Sequence, residues 1–179
     1  SGFAFIRKNT KLKSLITGGP QERSLRAGTE NVCGIVGLGK ALELSLNNME
    51  TYRKSMEVLK SYTIEKLKET VPGIIFNGRS GEMDQSLYTL VNVLLPFKEP
   101  MIGMKLDMRG IAISQGSACS SGASTPSMVM MMLLDEDQMS NGTPLRISFS
   151  HLTTKEEIDY FIENLKEIVK EHLIEKVNS

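Results

Sequence analysis

Apolar residues recur at three- and four-residue steps in two long stretches of the chain. The first stretch carries Ile35, Leu38, Leu42, Leu46, Met49, Tyr52, Met56 and Leu59. This spacing places apolar side chains on one face of a helix. We therefore predict either one long helix or two helices that break near Asn47-Asn48, and we expect Val71-Pro72-Gly73 to end the element.

The second periodic stretch lies at the end of the sequence. Its apolar stripe consists of Ile158, Phe161, Ile162, Leu165, Ile168, Val169 and Leu173. Thr153 and Glu156 have the spacing of a capping box, in which each side chain binds the backbone amide of the other residue. The pattern predicts a final amphipathic helix that begins just after Thr153.

Shorter apolar runs between these stretches predict strands and short helices. The predicted strands are residues 3–7, 74–76, 90–95, 111–114 and 145–150. The predicted short helices are residues 101–109 and 126–134, and residues 135–144 are predicted to be a polar connection with a turn at Asn-Gly. In 145–150 alternate residues are apolar, which is typical of a strand with one buried face. Mixed helices and strands predict an α/β fold.

Composition excludes several classes of function. The chain has 179 residues, with 21 Lys plus Arg and 21 Asp plus Glu, so it carries no net charge. That balance argues against nonspecific binding to nucleic acid or to an anionic membrane. No apolar run is long enough to span a bilayer, and the first residues do not have the pattern of a signal peptide. The length suits one domain, or one domain and part of another.

Cysteine usage favours a reducing compartment. Cys33 and Cys119 lie far apart and form neither a metal-ligand spacing nor a disulfide framework. Cys33 lies among apolar residues at the start of the long helix, and we predict that it packs in the interior. The methionines at 128 and 130–132 are predicted to fill the core rather than to bind a metal.

In the segment around Cys119, ISQGSACSSGAST, the residues that follow the cysteine are all small. Glycine and serine favour irregular surface structure, so the sequence predicts an exposed loop. An exposed thiol suits nucleophilic or sulfur-carrying chemistry, because the thiolate is the reactive form. An incidental surface cysteine is the alternative that these residues alone leave open.

Two further segments carry candidate binding groups. The loop GGPQERSLRAGTEN precedes the long helix and contains Thr29, two arginines and backbone amides that suit a phosphate. A simple helix cap in a solvated basic loop explains the same residues. Arg146 lies on the polar face of the predicted strand 145–150, where its guanidinium suits a carboxylate. A surface ion pair is the alternative for Arg146.

Taken together, the segments GGPQERSLRAGTEN, GSACSSG and PLRISFSHLTTKEEID resemble the NifS-type cysteine desulfurases, which are pyridoxal-phosphate enzymes of the class V transferase group. The resemblance covers essentially the whole chain. It implies the C-terminal small domain of a fold-type I enzyme, with helices packed on a small mixed sheet, a long linking helix and a remnant of the large domain. The implied division is 1–45 for the tail of the large domain and the start of the linking helix, and 46–179 for the small domain.

The resemblance also implies a reaction and its residues. Sulfur leaves L-cysteine, L-alanine is the product, and Cys119 carries the persulfide to a sulfur acceptor or iron–sulfur scaffold protein. Arg146 matches the arginine that holds the substrate carboxylate. Thr29 matches a residue that reaches the pyridoxal 5'-phosphate (PLP) of the neighbouring subunit in a homodimer. A cytoplasmic location is implied, with an organelle matrix as the other reducing choice, and no metal, nucleic acid or membrane is expected.

One departure from the family concerns the cofactor. The family's PLP-bearing lysine lies upstream of the segment that FAFIRK resembles, so we expect the 179 residues to be part of an enzyme and to be inactive alone. Three other hypotheses remain at this stage. They are a selenocysteine lyase, a desulfinase of the same fold, and a non-catalytic docking domain.

Overall fold

The computed structural model describes residues 1–115 and 127–177, with side chains described as far as residue 174. The elements in order are α1 (Gln21–Ser24), α2 (Val32–Thr70), β1 (Ile75–Phe76), β2 (Leu90–Leu95), α3 (Ile102–Asp107), β3 (Ser114–Gln115), α4 (Met128–Leu133), α5 (Glu136–Asn141), β4 (Thr143–Ser148) and α6 (Lys155–Val177). They fall into two compact units, Ser1–Glu50 and Thr51–Ser179. The α/β class predicted from the sequence is confirmed.

Apart from the four-residue helix α1, the first unit has no regular element before α2. The predicted strand at 3–7 is wrong, since these residues adopt no regular structure. A strand needs a hydrogen-bonded neighbour, and Ser1–Glu50 contains no other strand, although the structure describes every residue in it. Ala27, at 7% exposed, is the only fully buried apolar side chain among these fifty residues.

Helix α2 is continuous from Val32 to Thr70. The side chain of Asn31 caps its start, because Oδ1 accepts a hydrogen bond from the Gly34 amide at 3.0 Å. No break occurs at Asn47-Asn48, where the side-chain Nδ2 of Asn48 donates to the Leu44 carbonyl at 2.8 Å. The helix ends at the predicted place, and Gly73 then adopts a positive φ of 82°.

The sheet of the second unit has four strands in the order β1-β2-β4-β3. Each described strand pair is antiparallel, whereas the family resemblance implied a mixed sheet. Strand β2 spans the predicted residues, and β4 begins two residues before the predicted strand. The central register places Val93 opposite Leu145. Antiparallel neighbours that pair directly carry their side chains on the same face.

One face of this sheet forms the core with two helices. Val91, Val93, Leu145 and Ile147 point to that face and are at most 7% exposed. Their helical partners in the same apolar cluster include buried residues of α2 and α6, namely Met56, Leu59, Ile64, Leu67, Ile158, Phe161, Ile162, Leu165, Ile168 and Val169. The opposite sheet face carries the polar side chains of Asn92 and Arg146 beside Leu94, which is 2% exposed.

Helices α5 and α6 each begin with a capping box. Thr154 and Glu157, rather than Thr153 and Glu156, cap α6, with hydrogen bonds of 2.9 and 3.2 Å between each side chain and the other residue's amide. Residues 136–141, predicted to be a connection, form helix α5, since Asp135 makes a capping box with Gln138.

The methionine cluster is only partly in the core. Met130 of α4 is 6% exposed, as predicted, but Met128, Met131 and Met132 are more than half exposed. The helical turn of α4 explains the difference, because residues that follow each other along a single short helix cannot all face one side. Within the described residues, no helix is both long and apolar enough to cross a membrane.

Candidate functional site

Arg146 lies in the middle of β4 on the sheet face that does not form the core. Its Cα partners are Asn92 in β2 and Ser114 in β3. The flanking residues Leu145 and Ile147 are buried on the other face. Strand alternation therefore brings Asn92, Arg146 and Ser114 into one polar row that crosses three strands.

The guanidinium of Arg146 is partly buried and makes one side-chain hydrogen bond to the residues that the structure describes. Its Nη2 donates to the Ser114 hydroxyl oxygen at 3.2 Å. Among the residues that the structure describes, no carboxylate lies within ion-pair distance of this guanidinium. The other N–H groups of the guanidinium suit a planar anion such as a carboxylate.

Strand β3 is attached to the start of α3 through the side chain of Gln115. Its Oε1 accepts from the Gly103 amide at 3.1 Å, and its Nε2 donates to the Glu99 carbonyl at 3.4 Å. Gln115 pairs with Leu145, so its side chain leaves the strand on the face opposite to that of Ser114. The two residues of β3 thus contact two different parts of the second unit.

A charged pair supports the same corner of the unit. The Glu99 carboxylate accepts from Lys105 Nζ at 2.6 Å and from the Met101 amide at 3.2 Å. Burial acts to raise the pKa of Glu99, but the hydrogen bonds from Lys105 and Met101 and the charge of Lys105 outweigh it, so the pKa lies below its usual value. The carboxylate form therefore contributes to the structure to which Gln115 binds.

Thr29 belongs to the first unit and lies on its surface, three residues before α2 begins. Arg26 Nη1 donates to the carbonyls of Gly28 and Thr29 at 3.1 and 3.2 Å, which shapes this turn. Gly28 has a φ of 101°, a conformation that favours glycine. The Thr29 hydroxyl has no hydrogen-bond partner among the described residues. An exposed hydroxyl beside the amides of a helix start is a donor set that fits a phosphate group such as that of PLP.

The structure does not place all three predicted site residues. Thr29 is in Ser1–Glu50, Arg146 is in Thr51–Ser179, and Cys119 lies outside the described residues. The prediction for Cys33 is wrong. Its side chain is exposed, because the first unit forms no core around the start of α2.

Two contributors to the site were missed by sequence reasoning, Ser114 and Gln115. Both lie at the start of the Cys119 segment. Ser114 was assigned to the end of the predicted strand 111–114 and Gln115 to the loop, and neither was given a role. Their partners, Arg146, Gly103 and Glu99, are 12 to 32 residues away in sequence. Only the pairing of β3 with β4 makes these contacts visible, and no local signal in the sequence specifies that pairing.

Comparisons with known proteins match most of the chain. The sequence profile of the family described as aminotransferase class-V matches residues 5–161. A cysteine desulfurase IscS of Dictyoglomus turgidum is 35% identical over 171 residues, which are 94% of this chain and 42% of that protein. A cysteine desulfurase IscS of Clostridium botulinum is 37% identical over 171 residues, which are 95% of this chain and 43% of that protein.

A solved structure described as a NifS-like protein is similar in fold. It superposes with a TM-score of 0.75 at 30% identity, over 93% of this chain and 41% of that protein. The chain therefore spans less than half the length of the relatives that it matches.

Proposed function

The chain belongs to the aminotransferase class-V family, and from this membership we propose that the full-length protein, at the length of its relatives, is a PLP-dependent cysteine desulfurase. Its homologues are named cysteine desulfurases. The observation that best supports the proposal is Arg146, a partly buried guanidinium on the sheet face opposite the core that no described carboxylate neutralises. Such a group is suited to hold the carboxylate of an amino acid substrate.

In the proposed reaction, Arg146 binds the carboxylate of L-cysteine and Cys119 receives its sulfur. The Cys119 thiolate attacks the substrate sulfur, a sulfur–sulfur bond forms, and the bond between that sulfur and the substrate β-carbon breaks. The carbon keeps the electron pair and takes up a proton, so the products are L-alanine and a persulfide on Cys119. This balance needs no external oxidant or reductant.

Thr29 is the residue of this chain that we assign to the cofactor. Its hydroxyl, which lies beside the start of α2 and has no hydrogen-bond partner among the described residues, would donate to the phosphate of PLP. When bound, PLP supplies an electron sink for the substrate carbon. We propose that Thr29 serves the partner subunit of a homodimer, as the family resemblance implies.

The remaining assignments are part of the same proposal. The persulfide passes to a protein acceptor, such as an iron–sulfur scaffold, in a reducing compartment that we take to be the cytoplasm. The 179 residues alone supply contacts for phosphate and carboxylate but not, by the family resemblance, the PLP-bearing lysine. We expect the isolated chain to form no stable, stoichiometric yellow chromophore with PLP. Titration of the isolated chain with PLP, followed by absorbance before and after dialysis, tests this expectation. A chromophore that the chain retains after dialysis would refute it.

The main test compares single substitutions in the full-length protein. Cys119→Ser should retain PLP absorbance but lose sulfide release from L-cysteine, because serine cannot accept sulfane sulfur. Arg146→Lys should raise the KM for L-cysteine by about tenfold or more, because lysine lacks the planar fork. Arg79→Lys is the matched control, since Arg79 lies in the same unit and pairs with Glu82 on the surface.

The same assay separates the proposed substrate from its competitors. L-selenocysteine and cysteine sulfinate are offered alongside L-cysteine at matched concentrations. A preference for L-cysteine supports a desulfurase, whereas a higher kcat/KM for either competitor identifies a lyase or a desulfinase. Sulfide release by Cys119→Ser at the wild-type rate would refute the role of Cys119.

A further inference from the structure

We propose that Ser114 is a positioning residue that orients the Arg146 guanidinium for the carboxylate of the substrate. The inference rests on the proposed function, because it assigns a task to Ser114 only if Arg146 binds substrate. Ser114 does not itself need to touch the substrate. It acts by limiting where the guanidinium can point.

The contact between the two residues is direct. Ser114 and Arg146 are Cα partners in the β3–β4 pair, and Arg146 Nη2 donates to the Ser114 hydroxyl oxygen at 3.2 Å. A hydrogen bond with a charged donor is stronger than one between neutral groups. It uses one N–H of the guanidinium, and the remaining N–H groups have no partner in the described ranges 1–115 and 127–177, so they suit an incoming carboxylate.

The position of Ser114 is itself fixed by the next residue. Gln115 binds the Gly103 amide and the Glu99 carbonyl on the opposite side of β3. A Cβ at residue 103 would lie 3.0 Å from Gln115 Oε1, so glycine at this position leaves room for the side-chain amide. These bonds join the two-residue strand to the start of α3. The Ser114 hydroxyl that binds Arg146 is therefore on a strand that the hydrogen bonds of Gln115 hold in place.

A fixed position for Ser114 is important because its partner, arginine, has a long and flexible side chain. Ordering such a side chain costs rotamer entropy. If Ser114 orders the guanidinium before substrate arrives, binding does not bear the whole of that cost. The gain in binding free energy is the same for the bound substrate and for the transition state, since the carboxylate is held equally before and during the chemical step. Loss of Ser114 should therefore change KM and leave kcat nearly unchanged.

The kinetic test uses Ser114→Ala and Ser114→Thr in the full-length protein. We expect Ser114→Ala to raise the KM for L-cysteine about tenfold, the effect of losing one hydrogen bond to a charged group, with kcat within about twofold. Threonine keeps the hydroxyl and suits a strand, so Ser114→Thr should restore most of the lost affinity. Ser61→Ala, which removes an exposed hydroxyl from α2, is the matched control.

A second readout follows Arg146 without turnover. The Nε–H resonance of Arg146, assigned by its loss in Arg146→Lys, gives the order parameter of the side chain by ¹⁵N relaxation. We expect it to fall in Ser114→Ala and to recover in Ser114→Thr. If Ser114 had only a structural role, Ser114→Ala would alter the backbone or the folding stability, and Ser114→Thr would not restore the order parameter of Arg146.

The outcomes separate the inference from the proposed function. An active wild type whose KM and Arg146 order are unchanged by Ser114→Ala would overturn the positioning role and leave the desulfurase proposal intact. A fall in kcat at constant KM would also overturn it. A full-length wild type that binds PLP but does not turn over L-cysteine would overturn the proposed function, and with it the task assigned to Ser114.

Discussion

Helix α2 runs through two regions that share one sequence pattern but differ in burial. In Ser1–Glu50, its apolar residues Ile35, Leu42 and Leu46 are 48 to 59% exposed. In Thr51–Ser179, Leu59 and Leu67 of the same helix are 8% and 0% exposed. The sequence period is that of an amphipathic helix throughout. The pattern therefore shows which face of a helix is apolar, but not whether anything covers that face.

The difference has a consequence for stability. Most helices are stabilised by packing of the apolar face rather than by helix propensity. The second unit provides that packing through its sheet and α6, whereas Ser1–Glu50 buries almost no apolar side chain within itself. Apolar surface left exposed in this way is typical of an interaction surface. Three predictions test how far the two regions differ, beginning with the largest expected effect.

Leucine truncations in the two parts of α2 should have very different effects. We expect Leu67→Ala to lower the free energy of unfolding by about 3–5 kcal/mol, because it leaves a cavity in the core of the second unit. Leu42→Ala, the matched change in the same helix, should alter it by less than about 0.5 kcal/mol. Urea denaturation followed by circular dichroism measures both. Equal losses in the two variants would show that the first part of α2 is packed as tightly as the second.

The helix caps provide a sharper comparison. Thr154→Ala should lower the stability of the second unit by about 1 kcal/mol, since the Glu157 amide loses its acceptor at the start of α6. Asn31→Ala removes the equivalent acceptor for Gly34 at the start of α2. Because that end of α2 contributes little to a core, we expect fraying there and an unchanged urea midpoint for the second unit.

Two controls keep this comparison clear. Thr154→Ser retains the hydroxyl and should remain close to wild type. Amide hydrogen exchange at the first turn of α2 detects fraying directly in Asn31→Ala. A midpoint shift in that variant as large as in Thr154→Ala would contradict the distinction between the two regions.

Ion pairs should show the smallest difference, and it should depend on pH. The Glu99 side chain is 17% exposed beside Lys105, and the Glu43 side chain is 55% exposed beside Lys40. We expect Glu99→Gln to cost about 0.5–1 kcal/mol near pH 7 and Glu43→Gln to cost less than about 0.5 kcal/mol. Urea midpoints of both variants, measured against wild type across pH, give these values.

The sign of the pH effect follows from the lowered pKa of Glu99. Its contribution is fully present above the usual carboxyl pKa of 4.5 and is lost as the pH falls through the lower folded-state pKa. Wild type and Glu99→Gln should therefore converge in stability below about pH 4.5. A difference that stays constant down to pH 2 would show that the charge of Glu99 is not what stabilises the corner near Gln115.

Much of the fold of the second unit was predictable because its signals are local. The apolar run at 90–95 became β2 with the same bounds. The stripe from Ile158 to Val169 is buried in α6, whereas its last residue, Leu173, is 53% exposed. Helix α5 also had a local signal that was overlooked, the Asp135–Gln138 capping box. The shift of the α6 cap from Thr153 to Thr154 arose because adjacent threonines each have a Glu three residues later, and sequence alone does not choose between them.

In the candidate site, too, the features that depend on neighbouring residues were predictable and those that depend on distant residues were not. Side-chain chemistry and strand period identified Arg146 as a carboxylate-binding candidate, and loop composition identified Thr29 and Cys119, because each property belongs to a few neighbouring residues. Which hydroxyl meets the Arg146 guanidinium, and what holds that hydroxyl in place, depended on β3 pairing with β4 and on Gln115 reaching α3. Such contacts join residues far apart in the chain, and their geometry exists only once the sheet has formed and its register is set.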